Sequence, residues 1–84
     1  MKINITQKHI DNGQTYFPSG CALALAIQDL AQNKLNLTVY HKVLNLNGKS
    51  YSFDEITTDW IRTFDLDKSS SKPIEIEIKD LVLV

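Results

Sequence analysis

The chain has 84 residues, 43% of them hydrophobic and 23% charged, which suits a single domain over residues 1–84 and leaves no room for two cores. Nine basic and ten acidic residues give a net charge of −1. This balance excludes a strong general attraction to nucleic acid, so we expect no direct nucleic-acid partner.

The cysteine content and the hydropathy pattern set the expected compartment. The single cysteine, Cys21, excludes an internal disulfide and fits a reducing environment. The longest apolar run, residues 21–27, is much shorter than the roughly 20 residues that cross a membrane. The first residues also lack the apolar core of a signal peptide. We therefore expect a cytoplasmic protein with no membrane partner.

The first part of the chain predicts a strand followed by a short helical turn. Residues 2–6 alternate between polar and apolar side chains, which indicates a half-buried strand. Thr6 is a suitable N-cap for a turn over residues 7–12. We expect Gly13 to end that turn in a left-handed backbone conformation.

The next element is predicted to be a helix from about Cys21 to Asn33, with Ser19 or Gly20 as its N-cap. Its first two turns are apolar nearly all round, which indicates burial on more than one side.

The middle of the chain predicts a β-hairpin over residues 37–53. Asn47-Gly48 favours a type I′ turn, because that turn needs positive φ at both central residues. Such a turn pairs Leu44 with Tyr51. Apolar residues occur on both faces of the first strand, which indicates a central strand or a bulge near Val43.

A second helix is predicted after the hairpin. Ser52 and Glu55 fit a capping box, with Tyr51 and Ile56 as the accompanying hydrophobic staple. The apolar spacing carries this helix to about Phe64.

The last part of the chain completes the predicted architecture. Residues 66–72 indicate a loop, and Pro73 opens a strand in which isoleucines alternate with charged residues. The order is then strand, turn, helix, two strands, helix and strand. An α+β fold with one four-stranded, mostly antiparallel sheet and two helices on one face buries every apolar stripe, as in ferredoxin-like and related folds.

Two surfaces are candidates for contact with a partner. Five acidic residues face one arginine within residues 54–67: Asp54, Glu55, Asp59, Asp65 and Asp67 against Arg62. This helix is either a docking surface for a basic partner or an ordinary solvated face. Tyr16 and Phe17, on a loop, are either interface anchors or a lid over a small core.

The start of the first long helix is the candidate for chemistry. Its free N–H groups at Ser19, Gly20 and Cys21 could hold an anion such as a nucleotide phosphate. Cys21 is either a small buried hydrophobe or a reactive thiolate that needs His9 or His41 nearby. The spacing of the histidines and the cysteine matches no closed zinc site, so we expect no metal and no cofactor.

Three motifs resemble a family of small proteins of unknown activity that tailed phages and prophages encode. They are Thr-Gln-x-His-Ile-Asp-x-Gly at residues 6–13, Cys-x-x-Ala-x-Ala at residues 21–26 and Trp-Ile-Arg-x-Phe-Asp at residues 60–65. The chain departs from the family pattern at Lys8, where the family has glutamate, and at Ala22, where it has proline. An earlier family cysteine is also absent. The resemblance implies a phage context and brings no activity with it.

Three functions follow from this reading. We favour a non-enzymatic phage accessory protein that binds a host protein or protein complex and inhibits a host defence, as anti-CRISPR proteins do. The alternative is a protein that binds or sequesters a small ligand or nucleotide at the helix start. The third is an enzyme that uses Cys21 and His9. A homodimer through the apolar residues 81–84 is also left open.

Overall fold

Backbone pairing divides the chain into two small sheets accompanied by three helices. The computed structural model describes residues 1–31 and 34–83. Within them the helices are α1 (Gln7–Asn12), α2 (Ala22–Leu30) and α3 (Glu55–Leu66), and a 3-10 turn follows at Lys68–Ser70. The strands are β1 (Lys2–Ile5), β2 (Leu37–Val39), β3 (Val43–Leu46), β4 (Lys49–Ser52) and β5 (Ile74–Glu77). None of the helices in this part of the chain combines the length and the apolar composition that a membrane crossing requires.

The sheets confirm an α+β fold, but the prediction of one four-stranded sheet is wrong. β1 pairs antiparallel with β5 from the far end of the chain, and Ile3 lies opposite Ile76. β2, β3 and β4 form a separate antiparallel sheet in that order. The two sheets share no strand, so the ferredoxin-like arrangement is not formed.

A turn that the sequence analysis did not predict divides the first strand of the predicted hairpin. The Tyr40 N–H donates to the Val43 carbonyl at 2.8 Å, so the chain reverses there and residues 37–46 form two strands. We predicted a central strand or a bulge near Val43: β3, which begins at Val43, is the central strand of its sheet, whereas the bulge is replaced by the turn. The reversal places Val39 opposite Leu44, and both are buried. This pairing explains why apolar residues occupied both faces of the predicted strand.

The hairpin at Asn47-Gly48 is confirmed with its register. Leu44 lies opposite Tyr51, and the two turn residues have φ values of +50° and +86°. Both values lie in the left-handed region that a type I′ turn requires.

The start of α3 differs from its prediction. Ser52 pairs with Val43 as the last residue of β4, so it is not free to cap a helix. Asp54 is the N-cap instead, and its carboxylate accepts a hydrogen bond from the Thr57 N–H at 2.8 Å. Ile56 is 69% exposed, so the predicted staple with Tyr51 is not formed.

The start of α2 also differs, because Cys21 is the N-cap and not Ser19 or Gly20. The helix ends at Leu30, before the predicted end, and Asn33 lies outside the described residues. Small buried alanines at 22, 24 and 26 let the strands approach the helix closely.

One core joins the two sheets to the helices. One layer of this core consists of the isoleucines of β1, Ile76 of β5 and Ile78 just after that strand. They pack with α2, with the buried residues of β2 and β3, and with Ile61 and Phe64 of α3. Thr6 is the N-cap of α1 as predicted, and Ile10 is the buried anchor of that helix. Of the apolar tail, Leu81 is buried and Val82 is exposed, while Val84 lies outside the described residues.

Gly13 is required for a different reason from the predicted one. Its φ is −73° and its ψ 148°, which is ordinary extended backbone, so the prediction of a left-handed residue is wrong. A Cβ at this position would lie 2.7 Å from the Ala22 nitrogen and 2.9 Å from the His9 carbonyl oxygen. Glycine therefore permits the close approach of the end of α1 to the start of α2.

Lys68 also contacts the end of α1. Its Nζ donates to the carbonyl of Asp11 at 2.9 Å and to that of Gly13 at 2.8 Å. These carbonyls end a helix whose C-terminus attracts positive charge. The lysine therefore joins the chain after α3 to the end of α1.

We predict that Gly13→Ala destabilises the protein, because the new methyl group meets backbone atoms that cannot rotate away. The expected loss in the free energy of unfolding is about 1–3 kcal/mol, measured by urea denaturation. Asn12→Ala, at the neighbouring exposed position, should change it by less than about 0.5 kcal/mol. Equal stability of the Gly13 variant and the native chain would contradict the close approach.

We predict that Lys68→Met lowers the free energy of unfolding by about 1–3 kcal/mol, because two carbonyls lose a charged donor. The control is Lys79→Met, which removes the same charge at an exposed position. If the two variants have the same denaturation midpoint, the contact of Lys68 contributes nothing to stability.

Candidate functional site

A cavity of about 330 Å³ lies between the loop after α1, the β2–β3 turn and α3. Its walls bring together residues that are far apart in the sequence: Tyr16, Phe17, Pro18, Cys21, Val39, Tyr40, His41, Ile61 and Asp65. Four of these, Tyr16, Phe17, Cys21 and Asp65, were predicted as site residues on three separate surfaces. The structure places them around one space, which we call the aromatic pocket.

Three exposed aromatic side chains border the aromatic pocket. Tyr16 is 65% exposed, Phe17 47% and Tyr40 46%. Tyr16 and Phe17 therefore present large surfaces to solvent and do not form a closed lid. Tyr40 was not predicted, because its place on the rim depends on the β2–β3 turn.

The Tyr16 backbone is held in an unusual conformation. Its φ is +57°, in the left-handed region that residues other than glycine adopt at a cost. The Tyr16 N–H donates to Oδ1 of Asp65 at 2.9 Å, which holds the loop against α3. This hydrogen bond fixes the position of the loop on the rim.

Asp65 also binds the opposite wall of the pocket. His41 Nε2 lies 2.8 Å from Asp65 Oδ2, and the imidazole N–H is the donor because an ionised carboxylate only accepts. The Asp65 side chain is only 9% exposed. The carboxylate therefore joins a loop, a turn and a helix inside a largely buried environment.

The other predicted acidic residues lie elsewhere. Asp54 caps α3, and the hydrogen bonds from Thr57 lower the pKa of its carboxyl group. Glu55 and Asp59 are exposed and line a groove together with Asp54, Lys42 and Arg62. The acidic surface is thus smaller than the sequence indicated, and two basic side chains border it. Whether it contacts a partner stays a prediction.

The three residues of the predicted anion site at the start of α2 do not line one common space. A Cβ on Gly20 would overlap the Phe17 ring, so this ring lies directly over the glycine. Ser19 is exposed and lines another hollow, which includes Leu25 and Lys34. Cys21 is buried and lines the aromatic pocket.

Cys21 shares the aromatic pocket with two residues of a kind that cysteine catalysis uses. Cys21, His41 and Asp65 line the same pocket, whereas His9 is paired with Asp29 at 2.6 Å. Burial raises the pKa of the Cys21 thiol; the Leu23 and Ala24 amides lower it, and the negative charge of Asp65 raises it further. A catalytic thiolate needs the opposite shift. In the described part of the chain no hydrogen bond joins this thiol to His41.

Metal chemistry finds no support in the geometry. Within residues 1–31 and 34–83, no three His, Cys, Asp or Glu side chains are grouped so that they could hold an ion.

Comparison of the chain with protein-family models, with curated proteins and with solved structures returned no match. The phage family therefore stays a resemblance of motifs, and the site is interpreted from its own geometry.

We predict that native Cys21 reacts with iodoacetamide at least about a hundredfold more slowly than the unfolded chain, because the buried thiol reacts only when the protein opens. Mass spectrometry at pH 8 measures the rate. The control is the double variant Ser19→Cys/Cys21→Ala, whose thiol at an exposed position should react rapidly. Fast alkylation of native Cys21, with a thiolate already formed below pH 8, would instead indicate an activated nucleophile.

Proposed function

We propose that the protein acts by binding another protein through the aromatic pocket. The observation that carries this proposal is the grouping of Tyr16, Phe17 and Tyr40, all exposed, around one cavity. Exposed aromatic side chains next to a concave surface are typical anchors of protein interfaces. Isolated exposed apolar residues need no such explanation, but a cluster does.

Backbone hydrogen bonds prepare this surface for binding. The Gly20 N–H donates to the Phe17 carbonyl at 3.1 Å, and the Val39 N–H donates to the Pro18 carbonyl at 2.8 Å. Together with the Tyr16–Asp65 contact, they fix the loop against β2 and α3. A rim that is ordered before binding loses less conformational entropy when a partner binds.

The resemblance to phage-encoded proteins supplies the context of the proposal. The partner would be a host protein or protein complex in the host cytoplasm. In its most specific form, the proposal is that the protein inhibits a host defence complex. Glu55 and Asp59 are exposed on α3 and would form a second contact with a basic part of that partner. The burial and raised pKa of the thiol in the pocket favour binding over catalysis.

Binding of a small ligand is the second candidate function, and the volume of the pocket favours it. A cavity of about 330 Å³ falls at the lower end of the range, roughly 300–1,000 Å³, in which proteins bind small molecules. A thermal-shift panel of nucleotides and metabolites tests this candidate. A ligand at about 100 times its dissociation constant should add about 2.7 kcal/mol to the free energy of unfolding.

We predict that Tyr16→Ala and Tyr40→Ala each weaken binding of the native partner by about 10- to 30-fold, as loss of an aromatic anchor usually does. The partner is first captured from host lysate on the immobilised native chain, and its affinity for each variant is then measured. Because both side chains are exposed, melting temperatures should change little.

The matched control is Leu30→Ala, which removes an exposed apolar side chain at the end of α2, outside the pocket and outside the proposed acidic contact. It should bind the partner like the native chain. The proposal fails if both tyrosine variants bind the partner with native affinity, or if the native chain captures nothing at any salt concentration.

A further inference from the structure

The aromatic pocket contains a negative charge and no fixed positive charge. Among its lining residues Asp65 is the one carboxylate, and no lysine or arginine is present. The side chain of Asp65 is 91% buried, so solvent screens its charge poorly. Its described hydrogen bonds come from a backbone amide and an imidazole, and these two leave further lone pairs for a donor.

The aromatic rings on the rim also favour a positively charged ligand. The faces of aromatic rings carry partial negative charge and attract cations, most often the guanidinium of arginine. Tyr16, Phe17 and Tyr40 supply three such rings around a space whose wall carries a carboxylate. A purely apolar ligand would bury Asp65 further without compensating its charge, which is costly.

We infer that the aromatic pocket binds an arginine side chain of the partner protein, an inference that rests on the proposed function. The guanidinium stacks on the rim and donates N–H groups to Asp65. Arginine fits better than lysine, because its planar cation is weakly hydrated, stacks on aromatic rings and offers several donors to a carboxylate.

His41 holds Asp65 in place, because its ring N–H lies 2.8 Å from one oxygen of the carboxylate and donates to it. The inference requires that a ligand in the pocket experiences the negative charge of this carboxylate. A cationic probe and a neutral probe of the same shape test that requirement.

The experiment uses three probes that differ in charge and shape. They are the N-acetyl methylamides of arginine, of citrulline, which is its neutral isostere, and of leucine. Each is titrated into the isotopically labelled full-length protein, and the amide signals of Tyr16, Tyr40 and Asp65 are followed by NMR. We expect the arginine probe to shift these signals with a dissociation constant in the millimolar range, and the citrulline probe to bind at least about tenfold more weakly.

Two variants test the named contacts. Asp65→Asn should weaken binding of the arginine probe by about tenfold or more, because it removes the charge. Since this change could also loosen the Tyr16 loop, Tyr40→Leu is measured in parallel, which keeps Asp65 and an apolar side chain at position 40 and removes one ring. The Tyr40 variant should bind the arginine probe roughly two- to fivefold more weakly than the native chain and should bind the leucine probe with unchanged affinity. Leu30→Ala again serves as the control outside the pocket.

The outcomes separate this inference from the proposed function. Binding of the leucine or citrulline probe as tight as that of the arginine probe would overturn the cationic ligand and leave the pocket as a binding surface. No shift with any probe would also overturn the inference, while the partner-capture experiment decides the proposed function on its own. Selective binding of the arginine probe, lost in the Asp65 variant and weakened in the Tyr40 variant, would support it.

Discussion

The candidate site depends on the carboxylate of Asp65. One oxygen accepts the Tyr16 amide, 49 residues earlier, and the other accepts the His41 imidazole, 24 residues earlier. Tyr16 belongs to the loop after α1 and His41 to the β2–β3 turn, and neither segment is part of α3. A chain of this size has a small core, so a polar contact that joins three segments has a large effect on surface shape. The shape of the pocket therefore follows from one side chain that is not part of its rim.

The features that could be predicted from the sequence depend on neighbouring residues. Asn47-Gly48 specified the hairpin and its register, because positive φ at both positions is a local requirement. Thr6 specified the start of α1 in the same way. The alternating isoleucines of β1 and β5 showed which faces are buried, since the period of a strand is fixed by its geometry. The α+β class followed from these parts alone.

The parts that could not be predicted depend on distant contacts. A tight turn at residues 40–43 replaced one predicted strand by two, so that the hairpin became a three-stranded sheet that does not include β1 or β5. Gly13 was correctly singled out for the wrong reason, because its requirement comes from an approach to Ala22 that no local pattern shows. Asp65 looked like one acidic residue among five on a helix. Nothing in its spacing indicated that it would be the buried one, so the aromatic pocket could not be assembled from the sequence.

The contact between Phe17 and Gly20 has a consequence for how the pocket can vary. The ring occupies the space in which any other residue at position 20 would place its first side-chain carbon. Because the obstacle is a rotatable ring and not backbone, a larger residue there would swing the ring aside and leave the strands and helices where they are. The size of the residue at position 20 therefore controls the width of the opening of the aromatic pocket, while the rest of the fold stays the same.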